Sequence, residues 1–111
     1  MTPEQVVLEV FERLHASDPS VRELYHEDAV RYGQDGTIHH GRAEIGAFYE
    51  SLFPMTTHPD VVGVYVDEPW VATLMRRQAD GRTVDYLDLF EVEDGLVRTI
   101  RVLLPTTGEM G

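Results

Sequence analysis

Val84-Asp85-Tyr86-Leu87-Asp88-Leu89-Phe90-Glu91-Val92 is the segment on which the reading of this chain turns. Side chains of a strand alternate between its two faces, so Val84, Tyr86, Asp88, Phe90 and Val92 share one side. Asp85, Leu87, Leu89 and Glu91 share the other. The first set is apolar or aromatic except for Asp88 at its centre. A carboxyl between two aromatic rings is costly to ionise, because desolvation disfavours the charged form and raises the pKa. That condition suits a group that passes protons near neutral pH. Two competing readings stand beside it. Asp88 can pair with an arginine of a neighbouring strand (Arg76, Arg77, Arg98 or Arg101), and a slip of one residue would exchange the two faces.

Outward from this segment the same period continues. Residues 61–66, 70–78, 83–91 and 96–104 are rich in Val, Tyr, Thr and Leu and read as strands. Ala79-Asp80-Gly81 and Glu93-Asp94-Gly95 are short glycine-containing breaks of the kind that join antiparallel neighbours. Upstream the period is helical. Thr2, Pro3 and Gln5 fit an N-cap, a first helical position and a capping box, and Val7, Val10, Phe11 and Leu14 follow at helical spacing. Ser17-Asp18-Pro19 ends that helix and opens a short second one burying Val21, Leu24 and Tyr25. Residues 29–32 are extended, 33–36 form a turn, and 37–40 run back as a second extended piece. A third helix is expected over 42–53, with Ile45, Phe48, Tyr49 and Leu52 on one face and Pro54 as its stop. Helices first and hairpin-linked strands after them predict an α+β fold: three N-terminal helices packed on a curved antiparallel sheet.

Composition narrows the chemistry. The chain of 111 residues reads as a single domain over 1–111, with 20 acidic and 9 basic side chains and a formal charge of −11. That charge repels nucleic-acid phosphates and is the expected solvated exterior of a soluble protein. No Cys is present, which removes disulfides, thiolate nucleophiles and zinc–thiolate sites. All basic residues are Arg, so neither Schiff-base chemistry nor a P-loop lysine is available. Ser17, Ser20 and Ser51 do not stand in a nucleophile-elbow setting. No apolar run is long enough for a membrane span and the first residues carry no signal-peptide pattern, so a cytoplasmic protein is expected. Acid–base work by Asp, Glu, His or Tyr remains, or binding without chemistry.

Three motifs in their order and spacing resemble a known superfamily. They are Leu24-Tyr25-His26-Glu27-Asp28-Ala29-Val30; Gly41 followed by Ala43-Glu44-Ile45 and Phe48-Tyr49; and the closing run from Asp88 through Asp94-Gly95 to Val97. Together they resemble the nuclear-transport-factor-2-like fold, in particular its SnoaL-like and ketosteroid-isomerase-like members. The resemblance implies a cone of three helices over a bent sheet, an apolar pocket between them, and a homodimer formed through the outer sheet face. It implies an aspartate at the position of Asp88, which in the isomerases stays protonated and donates to an enolate oxygen; this protein type is the established example of a neutral carboxylic acid in an apolar site. In the polyketide cyclases the matching aspartate is the proposed general acid/base. The isomerases' base would fall at Tyr32 or Gly33 and their oxyanion tyrosine at Val10, which argues against steroid isomerisation. The epoxide-hydrolase pattern also fails, because the last strand ends in Leu103-Leu104-Pro105. The single-carboxyl cyclase type is the one whose central residue is present.

The expected site is therefore Asp88 as the catalytic group, with Tyr32, Tyr86, Phe90, Trp70 and His40 at the substrate. Tyr and Trp are equally good strand residues with one polar end. Adjacent His39 and His40 point opposite ways on an extended segment and cannot chelate one ion together. One of the two faces the pocket, and parity alone does not say which. No metal or cofactor is expected. The expected function is an isomerase, cyclase or lyase acting on a small, largely apolar, carbonyl-bearing metabolite. The alternative is a non-catalytic dimeric module of the same shape that binds a ligand or a protein.

Overall fold

The computed structural model describes residues 1–55 and 58–104. Helix α1 (Pro3–His15) opens with the capping box that the sequence announces: the Thr2 side chain accepts from the Gln5 amide and the Gln5 side chain accepts from the Thr2 amide. Val6, Val7, Val10 and Phe11 form its buried stripe. A 3-10 helix follows (Pro19–Leu24), started by Pro19 behind the Asp18 cap. The chain then extends as β1 (Tyr25–Tyr32), four residues earlier than the sequence pattern predicts, and returns as β2 (Ile38–His40). Helix α2 (Gly41–Leu52) lays Ile45 and Tyr49 against the core. Gly46 sits under the Arg22 guanidinium, where a Cβ would collide with it, and this close approach lets Arg22 reach Glu50.

Four longer strands complete the chain: β3 (Asp60–Asp67), β4 (Trp70–Ala79), β5 (Arg82–Glu93) and β6 (Leu96–Leu103). The six-stranded sheet has the order β2-β1-β6-β5-β4-β3. All its pairings are antiparallel except that of β1 with β6, which is parallel because the helices intervene between them in the chain. Asp80-Gly81 and Asp94-Gly95 carry positive φ at both residues, the two-residue turn whose twist matches that of flanking strands. Irregular register within β3, β5–β6 and β1–β6 accompanies the curvature of the sheet. The inner face of the sheet packs on α1 and α2. The Phe11 ring meets Phe90 edge-on at 5.7 Å, and Val71, Met75, Val92, Val97 and Ile100 fill the core around them. The predicted α+β architecture of helices on a curved sheet is the one observed; the sheet stays open. Pro105, invoked above for the end of the last strand, lies outside the described residues.

Gly95 stands at φ +77° in the turn that fixes the β5–β6 register. Gly95→Ala is expected to lower unfolding free energy by about 1–2 kcal/mol, the cost of a left-handed backbone with a Cβ. Urea denaturation of the variant checks it, and an unchanged midpoint would show that this turn does not constrain the hairpin.

Candidate functional site

The alternation along β5 holds in three dimensions. Tyr86, Asp88 and Phe90 all line one cavity of about 420 Å³ between the inner sheet face and the helices. Phe11 and Leu14 of α1, Phe48, Tyr49 and Leu52 of α2, and Met75, Ile100 and Val102 of the sheet make most of its wall apolar. Asp88 is 6% exposed, and its Oδ1 is buried without a hydrogen-bond partner. Thr73 lies directly opposite on β4, also fully buried and with its Oγ1 unpartnered. Burial pushes the Asp88 pKa up to about 7, opposed by the positive charge of Arg31.

None of the four arginines expected as partners bonds to Asp88. Arg76 makes a two-pronged contact with Asp85 on the other face, at 2.9 and 3.1 Å. Arg98 lies 3.8 Å from Glu93, Arg101 stacks over Tyr32, and Arg77 sits over the Tyr86 ring near the cavity mouth. The charge that does reach Asp88 comes from Arg31 on β1, which the sequence reading did not single out. Its signal was available in parity: on β1, Arg31 falls on the same side as the buried Tyr25 and Ala29.

That parity corrects three expected substrate contacts. Tyr32 is one residue on from Arg31 and faces outward, its ring 4.1 Å below the Arg101 guanidinium. His39, and not His40, lines the cavity, since it pairs with Arg31 across β1 and β2. His40 instead caps α2, its amide donating to Glu44 at 2.9 Å. Trp70 is 38% exposed and stands on the outer face, because even-numbered positions of β4 share the side of Leu74 and Ala72. Tyr86 and Phe90 are where the sequence places them.

Two further groups were not foreseen as parts of the site. The Tyr49 hydroxyl at the cavity wall shares a short hydrogen bond of 2.5 Å with that of Tyr25 behind it. Burial pushes Tyr49 up to about 12 and raises Tyr25 well above the ordinary tyrosine value, so both hydroxyls remain neutral. The Phe48 ring lies 4.1 Å from the Arg31 guanidinium and 4.7 Å from the His39 ring, and holds both over the cavity. At the mouth, His15 and His58 stack at 5.4 Å and His15 Nε2 meets the Pro59 carbonyl. A wider hollow of about 580 Å³ opens on the outer side, lined by His26, Asp28, Val30, Arg42 and Arg98. No buried unpartnered polar atom of the described residues lies among its lining, whereas Arg31, His39 and Asp88 of the inner cavity each carry one.

With fold and cavity in place, the comparisons with known proteins are specific. The SnoaL-like domain matches residues 7–100, and the chain belongs to that family, which includes isomerases and cyclases. No protein of curated function matches the sequence. Among solved structures, a nuclear-transport-factor-2-like protein of unknown function from Mesorhizobium loti superposes with a TM-score of 0.82 at 21% identity, covering 94% of this chain and 91% of its own. TerC, co-crystallised with polyporic acid, gives 0.80 at 13%, covering 99% and 96%. A hypothetical protein from Catenulispora acidiphila with a ketosteroid isomerase-like fold, in complex with trimethylamine, gives 0.76 at 15%, covering 96% and 89%. At these identities the likeness is one of fold. Among the described residues no helix is long and apolar enough to cross a membrane.

The raised Asp88 pKa has a signed consequence for stability. Between the free value of roughly 3.9 and the folded value, the native state binds more protons than the unfolded one. The stabilisation from the neutral carboxyl is complete below the unfolded value and is lost as pH rises through about 7. Relative to wild type, Asp88→Asn is expected to gain about 2–3 kcal/mol on going from pH 5 to pH 8. Chemical denaturation at both pH values checks this, and parallel pH profiles for the two proteins would show an ordinary, low Asp88 pKa.

Proposed function

We propose that the protein is a cofactor-independent enzyme of the isomerase, cyclase or lyase kind in which Asp88 is the general acid/base. The carrying observation is the Asp88 carboxyl, buried on the wall of a largely apolar cavity with its Oδ1 unpartnered and its pKa raised to about 7. Near neutral pH such a group exists in both forms, the condition under which one residue can take a proton and return it. The ionised carboxylate removes a proton from the carbon beside a substrate carbonyl, and the electron pair moves onto the carbonyl oxygen as an enolate. The neutral carboxyl then protonates that enolate, at oxygen or at another carbon. Tyr86 and Phe90 flank the carboxyl and give the substrate an apolar seat.

Support for the substrate class comes from the wall, which is mainly aromatic and aliphatic, and from TerC, a fold relative crystallised with polyporic acid. The test is hydrogen–deuterium exchange of 2-tetralone, a small apolar ketone, followed by proton NMR in heavy water. Wild type is expected to accelerate exchange beside the carbonyl, and Asp88→Asn to lose about 10²–10⁴ of that rate. Retention of the full rate in the variant would overturn the role of Asp88. A second reading, a ligand-binding module without catalysis, is favoured because the other carboxyl lining the cavity, Asp35, belongs to the turn between β1 and β2 and is engaged by the Thr37 amide. Exchange by wild type no faster than buffer supports that second reading.

The same proposal makes the protein a cytoplasmic homodimer joined through its outer sheet face. Tyr65, Trp70 and Leu103 stand exposed there, with Ala72, Leu74, Leu87 and Leu89 half-buried between them in cross-strand register. A contiguous apolar patch of this kind favours association. Sedimentation is expected to give twice the chain mass for wild type and a smaller species for Leu74→Glu, and a monomeric wild type would refute the dimer.

A further inference from the structure

Arg31 presents an unusual problem of charge. Its guanidinium reaches into the cavity over the Phe48 ring, its Nε is buried without a hydrogen-bond partner, and among the described residues no carboxylate lies within ion-pair distance of it. The protein around it carries a net charge of −11, and Asp35 of the turn after β1 lines the same cavity, but that carboxylate accepts from the Thr37 amide and closes no ion pair with Arg31. Tyr49, on the same wall, shares its hydroxyl with Tyr25 and also lies within side-chain hydrogen-bonding reach of Arg31, but it is a neutral partner and leaves the positive charge uncompensated. His39 stands directly opposite Arg31 on β2, stacked on the same Phe48 ring, and its Nδ1 is also buried and unpartnered. Two nitrogens that demand partners therefore sit side by side at one end of a cavity whose remaining walls are largely apolar.

A desolvated guanidinium is unfavourable unless an anion meets it, and its planar fork matches the two oxygens of a carboxylate. From this geometry we infer that Arg31 and His39 form a carboxylate-binding subsite, so that the substrate is an apolar carbonyl compound bearing a carboxylate. The carboxylate docks on Arg31 and His39, the apolar body lies against Phe11 and Ile100, and the carbonyl end points to Asp88. The orientation of the carbonyl rests on the proton-transfer reading of Asp88; the anion subsite itself does not. The pairing also explains why Asp88 is left unbridged. A direct Arg31–Asp88 ion pair would fill the cavity with a salt bridge, hold the carboxyl ionised and leave no place for a second anion.

The test compares 2-naphthoate with its neutral isostere 2-naphthamide by titration calorimetry at pH 6. Wild type is expected to bind the carboxylate at least about tenfold more tightly, and Arg31→Met to lose that preference. Equal binding of the two probes by wild type, or an undiminished preference in a folded Arg31→Met variant, would overturn the subsite. A second measurement needs no variant: 2-naphthoate is expected to shift the Arg31 Nε–H resonance of wild type, and an unmoved resonance at saturation also overturns it. Asp88→Asn separates the two readings. If it keeps the preference for 2-naphthoate and also keeps full exchange of 2-tetralone, the anion subsite stands while the catalytic role of Asp88 falls.

Discussion

Phe90 ties the two layers of the molecule together. Its ring is fully buried, meets Phe11 of α1 edge-on, and lies in cross-strand register with Val71 on one side and Ile100 on the other. Because strand side chains alternate, whatever seats Phe90 inward also seats Asp88 and Tyr86 inward. The carboxyl thus has no freedom to turn to water without undoing the hydrophobic contact between sheet and helix. Packing, which is non-directional and large, fixes the position of a polar group whose own burial is unfavourable.

The electrostatics of the molecule divide between outside and inside. On the exterior, acidic side chains and arginines meet in surface pairs, half-buried in Arg13–Glu9 and more exposed in Arg76–Asp85, which solvent screens and which add little to stability. Inside, Asp88 and Arg31 face the same cavity without touching, each lacking a bond that burial makes valuable. The tyrosine hydroxyls behind them, by contrast, bond to each other. Among the described residues, every buried unpartnered side-chain atom except that of Thr73 belongs to a residue lining this one hollow.

Much of this was legible from residues alone. The capping box at Thr2, the apolar stripe of α1, and the Asp-Gly turns depend on interactions within a few positions, and such signals survive in one dimension. Asp88 between Tyr86 and Phe90 was legible because a period of two needs no partner strand to be recognised. Tyr32, His40 and Trp70 were placed in the pocket wrongly, and Arg31 was passed over. Each sits near a strand end, where the repeats are too short to set parity, and neighbours in register settle the direction instead.

Local order along the chain determined which segments are helices and strands, where the hairpins turn, and which single carboxyl stands on an apolar face. Only the folded sheet decided what surrounds that carboxyl. Arg31 and His39 are 57 and 49 residues away in the chain, and they reach the cavity because β1 joins the sheet beside β6 and carries β2 at its edge. Periodicity is a property of a segment and can be read from it. Proximity is created when segments of unlike period pack together, and no stretch of this sequence contains it.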